Sequence, residues 1–505
     1  MTEPSFNQLP VELLLRISEH VAGNSIARFL LNGSCGTMLK DNRATTDLRN
    51  MALVCRTLRP IAQEMLFRDP LLSDTISSAL FYEDTSLFRF IYCLTCGPHL
   101  RGRVKSLRVA LPSSHVVIRN DRPARTQLRF RRFLDSTALS SVVRQTLEAG
   151  VIATHRLSLI GVLMALTPQL EHLSILPSDR SSEYHGLGLL DLLQGTLDRA
   201  MGPRIMNNSG FAQIPGFGNL EMLKCMMDHL MRLQTLFMLP KLTTLDVTPV
   251  YNRSVPFHQQ VRDFAQFQAL RPVGDRSNFD HIIHLRIDAQ TRFLIEHSNL
   301  VSCLEILAHF RALRTLDIYG LPSCTNYHHD TVWNIHTRIV RAIATRIPER
   351  LEVLRLPNMG RETPLAERDI TRPDFSGFLQ LRRLLVPQDV LVARVPMRFD
   401  GGRGAFDVVM APLDALPPML ESLTIFDADP RVFGFVEYIV SQEESCPDLN
   451  HVTLLFAQAP KFTDKDYELL REKVDGKNFW RTLEKSRITW TVGRDDLNHA
   501  VELLN

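Results

Sequence analysis

Between Arg101 and Arg132 the sequence places ten Lys or Arg residues against a single acid, Asp121. Guanidinium groups at that density suit phosphate or carboxylate recognition, because each offers a planar fork of donors that matches two anionic oxygens. Arg122, Arg125, Arg129 and Arg132 are the members expected to hold an acidic or phosphorylated segment of another protein. The alternative is a solvated loop and helix face. Cys93-x-x-Cys96 has the spacing of a redox or metal pair, but no second pair completes a zinc site, so buried helix cysteines are the plainer expectation. His328, His329 and His336 approach helical spacing with only Asp330 as a further ligand nearby, and no metal site is assigned to them. Gly401-Gly402-Arg403-Gly404 and Gly216-Phe217-Gly218 lack the spacing of phosphate-binding loops. No GxSxG, HExxH or kinase set is present. Met222, Met226, Met227 and Met231 form a stripe at helical spacing, expected as core. No catalytic residue, metal or cofactor is expected; these residues offer recognition.

Bulk properties narrow the class. The 505 residues suffice for more than one domain, and 45% hydrophobic with 22% charged residues excludes wholesale disorder. A net charge of +3 argues against a nucleic-acid partner. Eight scattered cysteines suit a reducing compartment, so a cytoplasmic or nuclear location is expected. The first residues lack the basic and apolar regions of a signal peptide. The longest apolar run, Leu220–Leu239, is broken by Lys224, Asp228 and Arg232, so no membrane span is expected.

Recognition residues need elements to present them. Pro10 suits the first turn of a helix, where its missing N–H costs nothing, and Glu12 suits the positive end of the helix dipole. Leu13, Leu14, Ile17 and Val21 follow on one stripe. Residues 22–46 read as an insertion, and Thr46 or Asp47 can cap a second helix bearing Leu48, Met51, Ala52 and Cys55, with Val54 beside them. Pro60 opens a third, with Ile61, Met65, Leu66 and Phe67 apolar. Such a unit, residues 1–69, is thin and leans on a partner or neighbour. Leu9-Pro10-x-Glu12-Leu13-Leu14-x-x-Ile17, then Asp47-Leu48, Leu53-Val54-Cys55-Arg56, Ile61-Ala62 and Leu66-Phe67 together resemble an F-box. The family's usual aromatic three residues after the Cys is here Leu58, and its first two helices are usually closer in sequence. The resemblance implies docking onto the Skp-family adaptor of an SCF-type (cullin–RING) ubiquitin ligase. The adaptor-binding residues it points to are Leu9, Pro10, Leu13, Leu14, Ile17, Val54 and Cys55.

Residues 70–505 repeat a pattern, apolar-x-x-apolar-x-apolar. Its nine middle residues are Leu107, Leu173, Leu245, Leu285, Leu316, Leu354, Leu384, Leu423 and Val452, at separations of 66, 72, 40, 31, 38, 30, 39 and 29 positions. Periods of this size indicate a stacked solenoid, and the two long gaps each leave room for a hidden unit. The alternating core is a short strand; Pro168, Pro240, Pro418 and Pro447 end the preceding helices. Helical periodicity fills Leu220–Leu236, Phe293–Phe310, Thr331–Ile347 and Val432–Ser441. The repeats resemble a degenerate form of the leucine-rich repeats of F-box receptors, and the combination resembles fungal F-box proteins. The expected fold class is therefore α/β: a three-helix F-box followed by an irregular leucine-rich-repeat-like solenoid, with a parallel sheet on its concave side and a C-terminal cap.

By alternation, the strand positions facing away from the core line that concave side. Arg108, His172, Asp246, His284, Arg286, Asp317, Arg355, Arg383 and His451 are the candidates expected there to contact a target protein. The function expected is a non-catalytic substrate receptor of a ubiquitin ligase. The alternative is a repeat scaffold for protein–protein interaction without ligase function.

Overall fold

A computed structural model describes residues 10–22, 42–54, 56–73, 86–111, 128, 131–135, 137, 139, 141–152, 156–177, 214–227, 239, 241–249, 279–288, 304–319, 332–347, 349–358, 372–396, 406–429, 431–456 and 483–494. The chain divides into two compact units, Met1–Val250 and Tyr251–Asn505. Both are α/β, with parallel strands laid side by side in the order in which the chain makes them.

The first unit opens with three helices: α1 (Val11–Ala22), α2 (Asn42–Val54) and α3 (Leu58–Arg68). α2 begins four residues before Thr46, so the insertion is shorter than expected. Threonine is only mildly unfavourable inside a helix, and Thr45-Thr46 does not stop the run that begins at Asn42. Pro60 sits in the first turn of α3, as its missing donor requires.

The bundle is tied to the next helix and to the segment that leads into the sheet. Phe67 of α3 stacks on Phe90 of α4 (Ser86–Cys96), with ring centroids 5.4 Å apart. The Arg103 guanidinium donates to Glu64 at 2.7 Å, and the Lys105 N–H donates to the Arg68 carbonyl at 3.0 Å. A three-helix core this small gains the neighbour it needs.

Five parallel strands come next: β1 (Leu71–Ser73), β2 (Ser106–Leu111), β3 (His172–Pro177), β4 (Met222–Met227) and β5 (Thr244–Pro249). Leu107, Leu173, Leu223 and Leu245 stand in register across β2–β5, all buried. β4 is a repeat hidden in the second long gap. It stands where the described part of the helix expected over Leu220–Leu236 would lie, and takes Met222, Met226 and Met227 out of a helical stripe; residues 228–236 lie outside the described residues. The first gap instead holds two helices, α5 (Ser141–Ile152) and α6 (Arg156–Leu166).

The second unit has seven parallel strands among its described residues: β6 (His284–Asp288), β7 (Thr315–Tyr319), β8 (Val353–Arg355), β9 (Arg383–Pro387), and, past an antiparallel hairpin of β10 (Val392–Pro396) and β11 (Phe406–Met410), β12 (Ser422–Ala428), β13 (His451–Phe456) and β14 (Thr489–Arg494). The helices expected over Thr331–Ile347 and Val432–Ser441 are present as α7 (Val332–Ala344) and α8 (Val432–Ser441). Of the helix expected over Phe293–Phe310, the described residues show a 3-10 turn, Glu305–His309.

Each repeat is stapled to the next by the same device. A tight turn precedes the strand, closed by Leu220 N–H to Phe217 O, Ile282 to Phe279, Leu313 to Phe310 and Leu381 to Phe378. The four phenylalanines are fully buried. One carbonyl then accepts two successive N–H groups of the following unit: Lys105 from Glu171 and His172, Arg314 from Glu352 and Val353, Arg382 from Glu421 and Ser422. Registration is therefore set by backbone hydrogen bonds; the turn residue is phenylalanine in these four repeats and the buried Thr167 before β3.

Candidate functional site

The three N-terminal helices sort their apolar residues into two groups. Leu14, Leu58 and Ile61 pack together, joined by Leu15 and Met51. Ser18, one turn after Leu14, is fully buried and donates its hydroxyl to the Leu14 carbonyl at 2.9 Å. Leu14 is thus core of the bundle: it is fully buried, whereas its stripe neighbours Leu13 and Ile17 are exposed. The other group is exposed: Val11 at 55%, Leu13 at 44%, Ile17 at 37%, Leu53 at 79% and Val54 at 69%. Pro10 is exposed beside them, and Leu9 and Cys55 lie outside the described residues. Leu13, Ile17 and Val54 are among the residues the F-box resemblance pointed to; Val11 and Leu53 are exposed with them and were not.

The strand positions expected to face a target behave differently from the expectation. Arg108, Asp246, Arg286, Asp317 and Arg355 are buried, each 7% exposed or less. They are ion-paired within the sheet. Arg108 meets Asp69 at 3.1 Å. Lys224, on the strand that the repeat pattern missed, meets Asp246 at 3.1 Å. Asp317 stands between Arg286 at 2.9 Å and Arg355 at 3.8 Å. The physical reason is that parallel strands are buried on both faces, so alternation does not leave one face in water. Farther along the same row the side chains turn apolar or neutral: Leu385, Phe426 and Leu455 cluster with Val353 against them, and Thr424 and Thr453 are buried.

The first residue of most strands keeps contact with solvent, although Ser106 and Met222 are buried. His284 and Arg383 are exposed, while His172 and His451 are half-buried. Burial holds the His172, His284 and His309 imidazoles below the usual histidine range. His451 Nε2 lies 3.0 Å from the Thr453 hydroxyl. Beside this line, one residue earlier, several repeats carry a rim of opposite charges. Arg314 meets Glu352 at 3.4 Å, Arg382 meets Glu421 at 2.9 Å, and Lys105 is bonded to Glu171.

The basic stretch is largely neutralised where it is described. Arg103 pairs with Glu64, Lys105 with Glu171, Arg108 with Asp69 and Arg131 with Glu148. Arg132 is exposed, and Arg122, Arg125 and Arg129 lie outside the described residues. Among the metal candidates, His336 is fully buried with Nε2 3.1 Å from the Pro357 carbonyl, so it is a core histidine. His328, His329 and the Gly401–Gly404 run fall outside the described residues. No group of three or more His, Cys, Asp or Glu able to hold a metal occurs among the described residues.

Two features have no counterpart in the expectations from sequence. Cys93 and Cys96, expected to be buried, are exposed free thiols on the open face of α4, whose buried face is Leu87, Phe88, Ile91 and Leu94. At the end of β12, Arg431 grips Asp429 through two nitrogens and reaches Asp389 at 3.5 Å, while Gln388 bonds Asp429 from the neighbouring repeat. Burial raises the Asp429 carboxyl, but the hydrogen bonds from Arg431 and Gln388 outweigh it and hold the group below the usual carboxylate range. Asp427 beside it has φ of 52°, an uncommon left-handed conformation for a non-glycine residue, where β12 leaves register.

No family model matches the sequence, and no curated protein is similar to it. No helix among the described residues is long and apolar enough to cross a membrane.

Proposed function

We propose that this chain is the substrate-recognition subunit of an SCF-type ubiquitin ligase, docking a Skp-family adaptor through α1 and α2 and holding a protein target on its repeats. One observation carries the reading. Of nine large apolar side chains left exposed among the described residues, five (Val11, Leu13, Ile17, Leu53 and Val54) lie on these two helices. Apolar groups held out of the core in this way are what a docking surface supplies to a partner. The motif from Leu9 to Phe67 resembles an F-box and adds the class of partner. The cullin–RING core would follow through the adaptor. The chain's contribution to ubiquitin transfer would be proximity, raising the effective concentration of target lysines near the charged enzyme. The target-contacting residues favoured are the strand-start set of His172, His284, Arg383 and His451, because the buried row spends its charges internally.

The test is capture of a purified Skp-family adaptor by the full chain. Leu13→Glu with Val54→Glu should weaken capture roughly thirtyfold or more, the size of a hot-spot loss, with an unchanged far-ultraviolet spectrum. Leu14→Ala should instead lower bundle stability by about 2–5 kcal/mol, as for a buried leucine. Absence of capture by the wild-type chain, or capture indifferent to the double variant, would leave the repeat scaffold without a ligase role.

A further inference from the structure

We propose that Cys93 and Cys96 form a reversible dithiol–disulfide couple, a redox modification site on α4 that exchanges with glutathione. The two residues sit three apart on the last turn of the helix, with Gly97 N–H still donating to the Cys93 carbonyl at 2.9 Å. Helix geometry sets Cα atoms at this spacing about 5 Å apart, inside the range of about 4.4–6.8 Å that a disulfide spans. Both thiols are exposed and free, so an oxidant of glutathione's size can reach them. Cys225 and Cys446, by contrast, are buried. Cys96 is the last helical residue and Gly97 follows it, so the small closing movement of the side chains falls on the end of the helix. The opposite face of α4 is anchored by Leu87, Phe88, Ile91 and Leu94, which need not move.

The exchange balances. The Cys96 thiolate attacks one sulfur of glutathione disulfide, giving a mixed disulfide and releasing one glutathione thiolate. The Cys93 thiolate then attacks the Cys96 sulfur, closing the protein S–S bond and releasing the second. The protein loses two electrons and two protons; glutathione disulfide gains both and leaves as two thiols. Burial, and then the neighbouring Cys96, push the Cys93 thiol up. With the Cys93 thiolate disfavoured, the closing step is slow and the disulfide, once formed, is held more firmly. That is the behaviour of a slow store of oxidation, unlike a fast catalytic dithiol.

The test uses the folded full chain, equilibrated in glutathione buffers stepped from reduced to oxidised, alkylated before denaturation and mapped by mass after trypsin. Phe90–Arg101 is a single tryptic peptide containing both cysteines and no others. The expected result is that this peptide loses two hydrogens and becomes unalkylatable as the buffer is oxidised, and that dithiothreitol restores two alkylation sites. Cys96→Ser and Cys93→Ser should each stop closure and leave the remaining thiol carrying glutathione. A peptide that stays doubly alkylatable in every buffer overturns the proposal, and so does a wild-type peptide that takes up glutathione without closing.

Discussion

Replacing Asp317 with Leu tests whether the central row of the second unit lies inside the sheet or on a recognition surface. Asp317 is fully buried and stands between two guanidinium groups that are themselves 5–6% exposed, Arg286 and Arg355. Its Oδ2 accepts from Arg286 Nε at 2.9 Å; its Oδ1 and the Arg355 Nε form no hydrogen bond, so the Arg355 contact is Coulombic. Removing the carboxylate strands two buried cations, and breaking a buried pair by deleting one partner costs about 3–5 kcal/mol. The rings of Tyr319, 4.7 Å from the Arg286 guanidinium carbon, and Phe426, 5.5 Å from that of Arg355, hold part of the charge. Contacts of that kind contribute about 0.5–2 kcal/mol, too little to replace the acid. The assay is hydrogen exchange of the β6–β8 amides in the full chain across a urea series, which reads local opening without assuming that the two units unfold together. Asp317→Leu should lower that opening free energy by the stated amount. Arg286→Met with Asp317→Leu and Arg355→Met should recover most of it, since a buried triad replaced by apolar groups is neutral or stabilising. A loss below about 1 kcal/mol, the value for a solvent-exposed pair, would mean that the row faces water, and the case for internal pairing would fail.

Gly216→Ala should destabilise the first unit by about 1–3 kcal/mol, because its Cβ would stand 2.5 Å from the Met164 carbonyl oxygen and force backbone apart, whereas Gly218→Ala meets nothing within 4 Å and should be close to neutral in the same melting experiment. Stability should fall with acidification starting near the free-histidine pKa of about 6.5 and continuing down through the lowered folded-state values of His172, His284 and His309. The sign follows from burial: the unfolded chain takes up protons first, so stability rises with pH in that window, and His172→Gln with His284→Gln and His309→Gln should flatten the profile measured by urea titration.

Some of the fold was legible in the residues and some was not, for identifiable reasons. The repeat pattern announced β2, β3, β5–β9, β12 and β13, because a buried leucine at the strand centre leaves the same trace each time. β4 escaped because Leu220 and Leu223 serve both patterns, the repeat completed by Cys225 and a helical period by Met227, and short apolar runs do not separate the two. A clue was present: Gly218 occupies the place that proline takes before Leu170, Leu242, Leu420 and Leu449, and a helix breaker there launches a strand. β1 spans only Leu71–Ser73, too short for any period. In the N-terminal helices, spacing named the apolar residues but not which side each would face, since Leu13 and Leu14 differ by a single step around the helix.

The charge pattern carries the more general lesson about the candidate surface. At one repeat position the sign alternates as Arg286, Asp317, Arg355; at another it alternates as Arg314, Glu352, Arg382, Glu421. Alternation of this kind reports that the residues are lateral neighbours, which the strand register shows for the first row and the backbone hydrogen bonds Glu352 to Arg314, Arg382 to Glu352 and Glu421 to Arg382 show for the second. It says nothing about burial: the first row is enclosed, while in the second Arg314 and Arg382 are more than half exposed. The energetic meaning differs accordingly, several kcal/mol for loss of a partner in the first row and about 0–1 kcal/mol for a pair in the second. A target protein competes easily for the second row and the strand-start residues beside it, because displacing an exposed pair costs little. It gains nothing from the first without opening the sheet. If the repeats hold a target, recognition is therefore expected at His284 and Arg383, which alternation also named, and at the Arg314–Glu421 rim one residue before the strand starts, which it did not.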